Sequence, residues 1–174
     1  RVRDIYYPNV GRFNHTEGHV QRFGVWADGH FAWIEDGSWT RRMRYAPDTL
    51  VTEVVLRNDV LGLEITCNDC VDFHEPVYIG KCVVKDLLGQ DRDVRLFSHW
   101  DLSVRGTPVG DTANYDPATA SVVVYKDDSY FLFSACDENK CGIDNWAIGT
   151  KRLGGAEGTW RDAEDGQLGR NAIS

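Results

Sequence analysis

Apolar and polar side chains alternate with a period of two in several stretches of this chain, and no window sustains the apolar spacing of 3.6 that a helix of three turns requires. Thr49 to Asn58 is a long β-branched run and Leu63 to Val71 alternates like a strand; both are bounded by turn residues, so both predict strands. Gln21 to Trp26 and His30 to Ile34 are aromatic-rich runs separated by Ala27-Asp28-Gly29, and the Asp-Gly pair predicts a hairpin. Trp39 to Tyr45 alternates large apolar residues with arginine before Pro47-Asp48 turns the chain. Further strands are predicted at Val77 to Leu87, Val94 to Leu102, Ser121 to Tyr125, Tyr130 to Ser134 and Trp146 to Arg152. Gly106 to Pro117 is turn-rich and predicts no regular element. Turn signals recur about every 8–12 residues, the pattern of an antiparallel sandwich or barrel. The expected fold is all-β, with Val25, Val54, Leu56, Ile65, Val83, Leu96, Val123 and Leu132 facing inward.

The 174 residues suffice for one sizeable core, so residues 1–174 are read as a single domain. With 42% hydrophobic and 26% charged residues the composition is globular, and no apolar run reaches the roughly 20 residues of a membrane span. No membrane partner is expected. A net charge of -8 repels a phosphate backbone, and in the only dense basic cluster a strand would turn Arg41 away from Arg42 and Arg44, so no nucleic acid is expected either. Five cysteines leave at least one thiol unpaired in a monomer, which favours a reducing, cytoplasmic compartment. The chain does not begin with Met and reads as a fragment of something longer, so the lack of a signal peptide says nothing about secretion.

The densest candidate chemistry lies near the start. Arg3 to His19 places Tyr6, Tyr7 and Phe13 beside Asn9, Asn14, His15, His19 and Pro8. Pro8 has no N–H for a ladder and should end the first strand, leaving a loop. Aromatic faces next to amide and imidazole groups suit sugar rings, whose C–H faces stack while their hydroxyls find partners. The same residues would also serve a loop packed on its own domain or on a neighbour. His15 and His19 are four apart, but the glycines and proline around them argue against the helix that would aim both at one metal. Asn14-His15-Thr16 matches the glycosylation pattern, a short motif that is common by chance.

Cys67 and Cys70 spell C-x-x-C within a strand, where residues three apart point to opposite faces, which argues against a shared zinc ion. Cys136 and Cys141 could bridge across a loop or remain idle thiols. Asp162, Glu164 and Asp165 have the chemistry of a glycosidase carboxylate pair, yet acidic residues beside glycine more often form a solvated turn. No nucleophile elbow, phosphate loop, dinucleotide fingerprint or zinc-protease motif is present. The residues supply no catalytic set, metal site or cofactor site.

Several stretches together resemble the amino-terminal region of prokaryotic glucoamylase-type enzymes, glycoside hydrolase family 15: 3–11, Asn14-His15, Phe23 to Trp26 with Asp28-Gly29, Tyr45 to Thr52, Asp69 to Phe73, Val94 to Phe97, Gly110 to Pro117 and Gly158 to Gly166. The last two are the most specific, and the cysteines lie outside the pattern. The resemblance implies a two-sheet antiparallel super-sandwich, galactose-mutarotase-like, which here would stop before its final strands. It also implies a catalytic ring of helices elsewhere in the parent chain, carrying the two glutamates that hydrolyse α-linked glucose with inversion. This chain would then be a non-catalytic accessory domain whose partners are the C-terminal catalytic domain and an α-glucan or α-glucoside. Unpaired sheet edges would favour self-association. Residues Tyr6, Tyr7, Asn14, His15, Asp111, Asn114, Tyr115, Trp160, Arg161 and Asp162 are the candidates for a carbohydrate or domain interface. A free-standing carbohydrate-binding sandwich is the competing expectation, and a jelly-roll metalloenzyme would require converging histidines.

Overall fold

The computed structural model describes residues 2–16, 18, 21–107, 109–149 and 160–170. Among them the regular elements are strands and two 3-10 turns, with no α-helix. The strands are β1 (Tyr6–Tyr7), β2 (Phe13–Asn14), β3 (Arg22–Ala27), β4 (His30–Trp33), β5 (Thr40–Tyr45), β6 (Thr52–Asn58), β7 (Leu63–Val71), β8 (Tyr78–Asp86), β9 (Val94–His99), β10 (Thr112–Asp116), β11 (Ser121–Lys126) and β12 (Ser129–Phe133). All pairing between them is antiparallel. The sheets run β1-β2, β4-β3-β9, β5-β6-β7-β8 and β10-β11-β12.

The β3–β4 turn follows from its sequence, since Asp28 and Gly29 both adopt positive φ, 49° and 81°, as a two-residue hairpin turn matched to strand twist demands. In the four-stranded sheet Leu56 sits opposite Ile65 and Val54 opposite Cys67, so the apolar members of β6 and β7 share one face. That face packs on Val25, Ala27 and Ala32 of the β4-β3-β9 sheet, with Trp39, Leu61 and Leu63 completing the core. The opposite side of β3 carries Trp26, which with Trp33, Phe31 and Phe97 forms a second cluster. It is covered by Ala163 and Leu168, from the stretch that begins with the 3-10 turn Trp160–Asp165. The result is an all-β antiparallel sandwich with one outer face lined by a non-strand segment.

Core burial is uneven along the sandwich. At the end where β6 turns into β7, Leu61, Leu63 and Ile65 are sealed, and the buried side chain of Arg92 ties three turns together. Its guanidinium donates to Asp28 (2.6 Å), to Asp86 (3.0 Å) and to the Leu61 carbonyl (2.8 Å). At the far end Tyr45, Leu50, Val71 and Phe73 are exposed. Every residue of the edge strand β5 and all but the last of β8 are exposed as well.

Several expectations need correction. Gly106 to Pro117 is not irregular throughout, because Thr112–Asp116 pairs along its whole length with β11. Trp146 to Arg152 was expected as a strand, but residues 146–149 form none and 150–152 lie outside the described residues. Val83 faces outward because Ile65 pairs with Val84, and in a Val-Val step composition does not decide which one points in. Val123 and Leu132 pair on the side away from Phe131 and Phe133, and those two rings occupy the interior face instead. Leu132 is accordingly exposed. Leu96 pairs with Val25 on the core-facing side of β9, yet it lies near the sheet edge and remains 43% exposed.

Candidate functional site

Pro8 ends β1, as its missing N–H requires, and the chain returns through Gly11 to pair Tyr6 with Asn14 and Tyr7 with Phe13. The Asn14 side chain is consumed by this local structure. Its Oδ1 accepts from the backbone N–H groups of Ile5 (3.3 Å) and Thr16 (3.2 Å), and its Nδ2 donates to Asp4 (2.8 Å). Thr16 is buried and donates to the Arg3 carbonyl. The glycosylation pattern at Asn14 is therefore folded into the hairpin base. Tyr6, Tyr7, Val10 and Phe13 are exposed on this anchored hairpin.

His15 holds the hairpin to the rest of the molecule. It is 1% exposed, and its Nδ1 accepts from the Arg105 backbone N–H (3.1 Å). That acceptor role places the ring proton on Nε2, which donates to the Tyr7 carbonyl (3.2 Å). The imidazole also packs against Phe131 with centroids 4.8 Å apart. Arg105 belongs to the 3-10 turn Val104–Gly106 and has φ 61°, a left-handed backbone that turns the chain sharply. Its guanidinium lies over Phe13 (5.6 Å) and pairs with Asp127 and Asp128.

The neighbouring amide of the same turn, Val104 N–H, donates to Asp111 Oδ2 (3.4 Å). Asp111 in turn faces Lys126 (3.7 Å), whose ammonium also holds the Thr107 and Val109 carbonyls. Just beyond, Tyr115 stacks on Trp146 with centroids 3.5 Å apart and planes within 4°. Trp146 accepts a backbone hydrogen bond from Arg170 (2.9 Å) and lies under its guanidinium (5.8 Å). The hairpin, the β10 segment and the 160–170 segment are thus linked in series along one rim.

The sequence candidates take different places in the structure. His15, Asp111 and Tyr115 are internal fasteners of this rim, and Asn14 is committed to the hairpin base. Tyr6 and Tyr7 present free ring surface. Arg161 and Asp162 are exposed on the second 3-10 turn, where Asp162 accepts the Gly169 N–H (2.9 Å). Asn114 is half-buried in β10, and the side chain of Trp160 lies outside the described residues. Arg105, Lys126 and Trp146 complete the rim but were not candidates from sequence. A positive φ on arginine has no signature in residue type, and the role of Lys126 depends on the register of β10 and β11.

Asp162, Glu164 and Asp165 are exposed on the second 3-10 turn. Among the described residues no three His, Cys, Asp or Glu side chains are grouped as a metal ion would need, and His19 lies outside them. Cys67 and Cys70 point to opposite faces of β7, as the strand period dictates, while Cys136 and Cys141 form a disulfide. No described helix is long and apolar enough to cross a membrane.

No protein-family model matches the chain, and no curated protein matches its sequence. Among solved structures it is similar to a bacterial glucoamylase complexed with acarbose, with 16% identity and a TM-score of 0.62. The similarity covers 75% of this chain and 20% of the glucoamylase. The chain therefore spans about a fifth of that protein's length. The class defined is an antiparallel β-sandwich with a glucoamylase-like fold.

Proposed function

We propose that the chain is the accessory β-sandwich of a glucoamylase-type glycoside hydrolase of family 15, seated on a helical catalytic domain of the same parent chain. Its β1–β2 hairpin is the contact surface, and the α-glucan or α-glucoside is handled in a cleft that the hairpin edges. The observation that carries this reading is the rigid presentation of Tyr6, Tyr7, Val10 and Phe13. These apolar side chains are exposed, while His15, Asn14 and Thr16 beneath them are locked by hydrogen bonds. Exposed aromatics on a fixed support favour docking, because little conformational entropy is lost on contact. The glucoamylase-like fold supplies the context. Hydrolysis itself is assigned to carboxylates outside this chain, since the candidate set Asp162, Glu164 and Asp165 is exposed to solvent.

The test has two arms. The purified 174-residue chain, incubated with maltose, soluble starch, isomaltose and trehalose, releases no glucose, and release that vanished in D162N or E164Q would overturn the reading. In the parent enzyme, Tyr7→Ala and Phe13→Ala separate the thermal transitions of the two domains and lower activity, while the isolated sandwich melts unchanged. An unaltered parent enzyme would remove the hairpin from the interface.

A further inference from the structure

Cys67 on β7 and Cys82 on β8 are directly opposite each other in the antiparallel register, and their sulfur atoms are 3.5 Å apart. Both are free thiols. We propose that this pair is a redox modification site, a cross-strand dithiol that a low-molecular-weight disulfide converts into a covalent link between β7 and the exposed edge strand β8.

Three features support the assignment. Directly opposed residues of an antiparallel pair have Cβ atoms about 4.5–5.5 Å apart, next to the roughly 3.5–4.5 Å that a disulfide spans, so a small approach of the edge strand together with side-chain rotation brings the sulfurs to bonding distance. Accessibility is graded: Cys82 is exposed on the outer strand, whereas Cys67 is half-buried against the Leu56 and Ile65 cluster. Cys70 is no competitor, because it lies on the opposite face of β7, across from Ile79.

Exposure sets the order of events, since Cys82 on the outer strand meets the small disulfide first. With Cys67 as donor the Cys82 thiolate is favoured, while the same bond and burial hold the Cys67 proton in place. Asp69, on the same face of β7, opposes ionisation of both. Cys82 sulfur attacks one sulfur of the small disulfide RSSR, forming Cys82–S–SR and expelling RS⁻, which takes up a proton. Cys67 then loses its proton and attacks the Cys82 sulfur, expelling the second RS⁻. The net change is loss of two hydrogens from the protein and conversion of RSSR to two RSH. The new bond ties residues 15 apart in sequence and fastens the outermost strand of the four-stranded sheet.

The experiment uses the whole chain equilibrated with graded ratios of oxidised to reduced glutathione, quenched with acid, alkylated with a maleimide and digested with trypsin. Lys81 and Lys85 release Cys82 in a four-residue peptide, while Cys67 and Cys70 share the peptide 58–81. The expected result is that these two peptides become linked in the unreduced digest, both in the natural chain and in Cys70→Ser. Cys67→Ser should stop at glutathione on Cys82, and Cys82→Ser should remain alkylatable at Cys67. The proposal is overturned if Cys67 and Cys82 stay alkylated at the most oxidising ratio, if the mixed disulfide persists in the natural chain, or if Cys70→Ser abolishes the link.

Discussion

His15 and Asp111 accept hydrogen bonds from consecutive backbone amides, those of Arg105 and Val104, although they are far apart in the sequence. One 3-10 turn is thereby the common anchor of the β1–β2 hairpin and of the loop leading into β10. Replacing His15 by Ala strands the Arg105 N–H and the Tyr7 carbonyl and opens a void beside Phe131. The expected loss is roughly 2–4 kcal/mol in urea unfolding, a large share of a typical domain's stability. His15→Gln, which retains a donor and an acceptor, should lose less. Equal losses would mean that ring packing rather than hydrogen bonding fixes the hairpin.

Tyr7 and Tyr115 should behave differently in the isolated chain. Tyr7 is 42% exposed, whereas Tyr115 lies flat on Trp146. Tyr7→Ala should leave the melting temperature nearly unchanged, while Tyr115→Ala should lower stability by about 1–3 kcal/mol through lost aromatic packing. Equal melting curves for the two variants would show that the stack contributes nothing.

Gly24 on β3 is a packing glycine. A Cβ there would come within 2.7 Å of the Trp33 ring and would also strike Phe31. Gly24→Ala should cost roughly 1–3 kcal/mol by overpacking and broaden the near-ultraviolet circular dichroism of the tryptophan cluster. An unchanged spectrum and stability would mean that the rings yield freely.

Acid should loosen the turns first. The Asp72 carboxylate is held below its ordinary pKa by the Glu75 and His74 amides, Asp116 by the Thr119 hydroxyl and the Ala118 amide, and Asp137 by the Asn139 and Lys140 amides. Because the folded pKa values are depressed, the unfolded chain binds more protons in acid. The stabilisation is present above the ordinary carboxylate range, about pH 4, and fades as pH falls through the folded values. Asp116→Asn retains a turn acceptor without the charge, so it should flatten this part of the pH–stability curve. An unchanged slope would show that Asp116 does not contribute.

His99 should titrate below the ordinary histidine value. Burial is the main cause, Asp101 opposes it, and Arg22, paired opposite on β3, adds to it. The unfolded chain takes up this proton first, so the contribution to stability is lost as pH falls below about 6.5. A proton NMR titration of the ring checks the direction directly, and a midpoint at or above the ordinary value would contradict it.

What the sequence disclosed depended on whether a local rule or a distant partner decided each element. β7 was legible to its exact ends because alternation and β-branching agree there, and the Asp28-Gly29 turn was legible because few residues tolerate its φ values. β10 was not. Thr-Ala-Asn-Tyr-Asp has little intrinsic strand preference, and pairing with Val122 to Tyr125 imposes its conformation. Facing was lost wherever neighbouring residues were equally apolar, as at Val83-Val84 and Phe131-Leu132-Phe133. At the candidate site the residue types stood out, but their roles did not, because a buried fastener and an exposed contact can both be a tyrosine or a histidine.

The Arg92 clamp gives the sandwich a spine along one side. With three turns pinned at that end and bare apolar rows at the other, thermal breathing should enter from the Tyr45 and Val71 margin and die out toward Leu63. The two sheets then work as the covers of a bound book. Anything that occupies the fore-edge, whether more chain or another molecule, would be felt as stiffness throughout the pages without touching the binding.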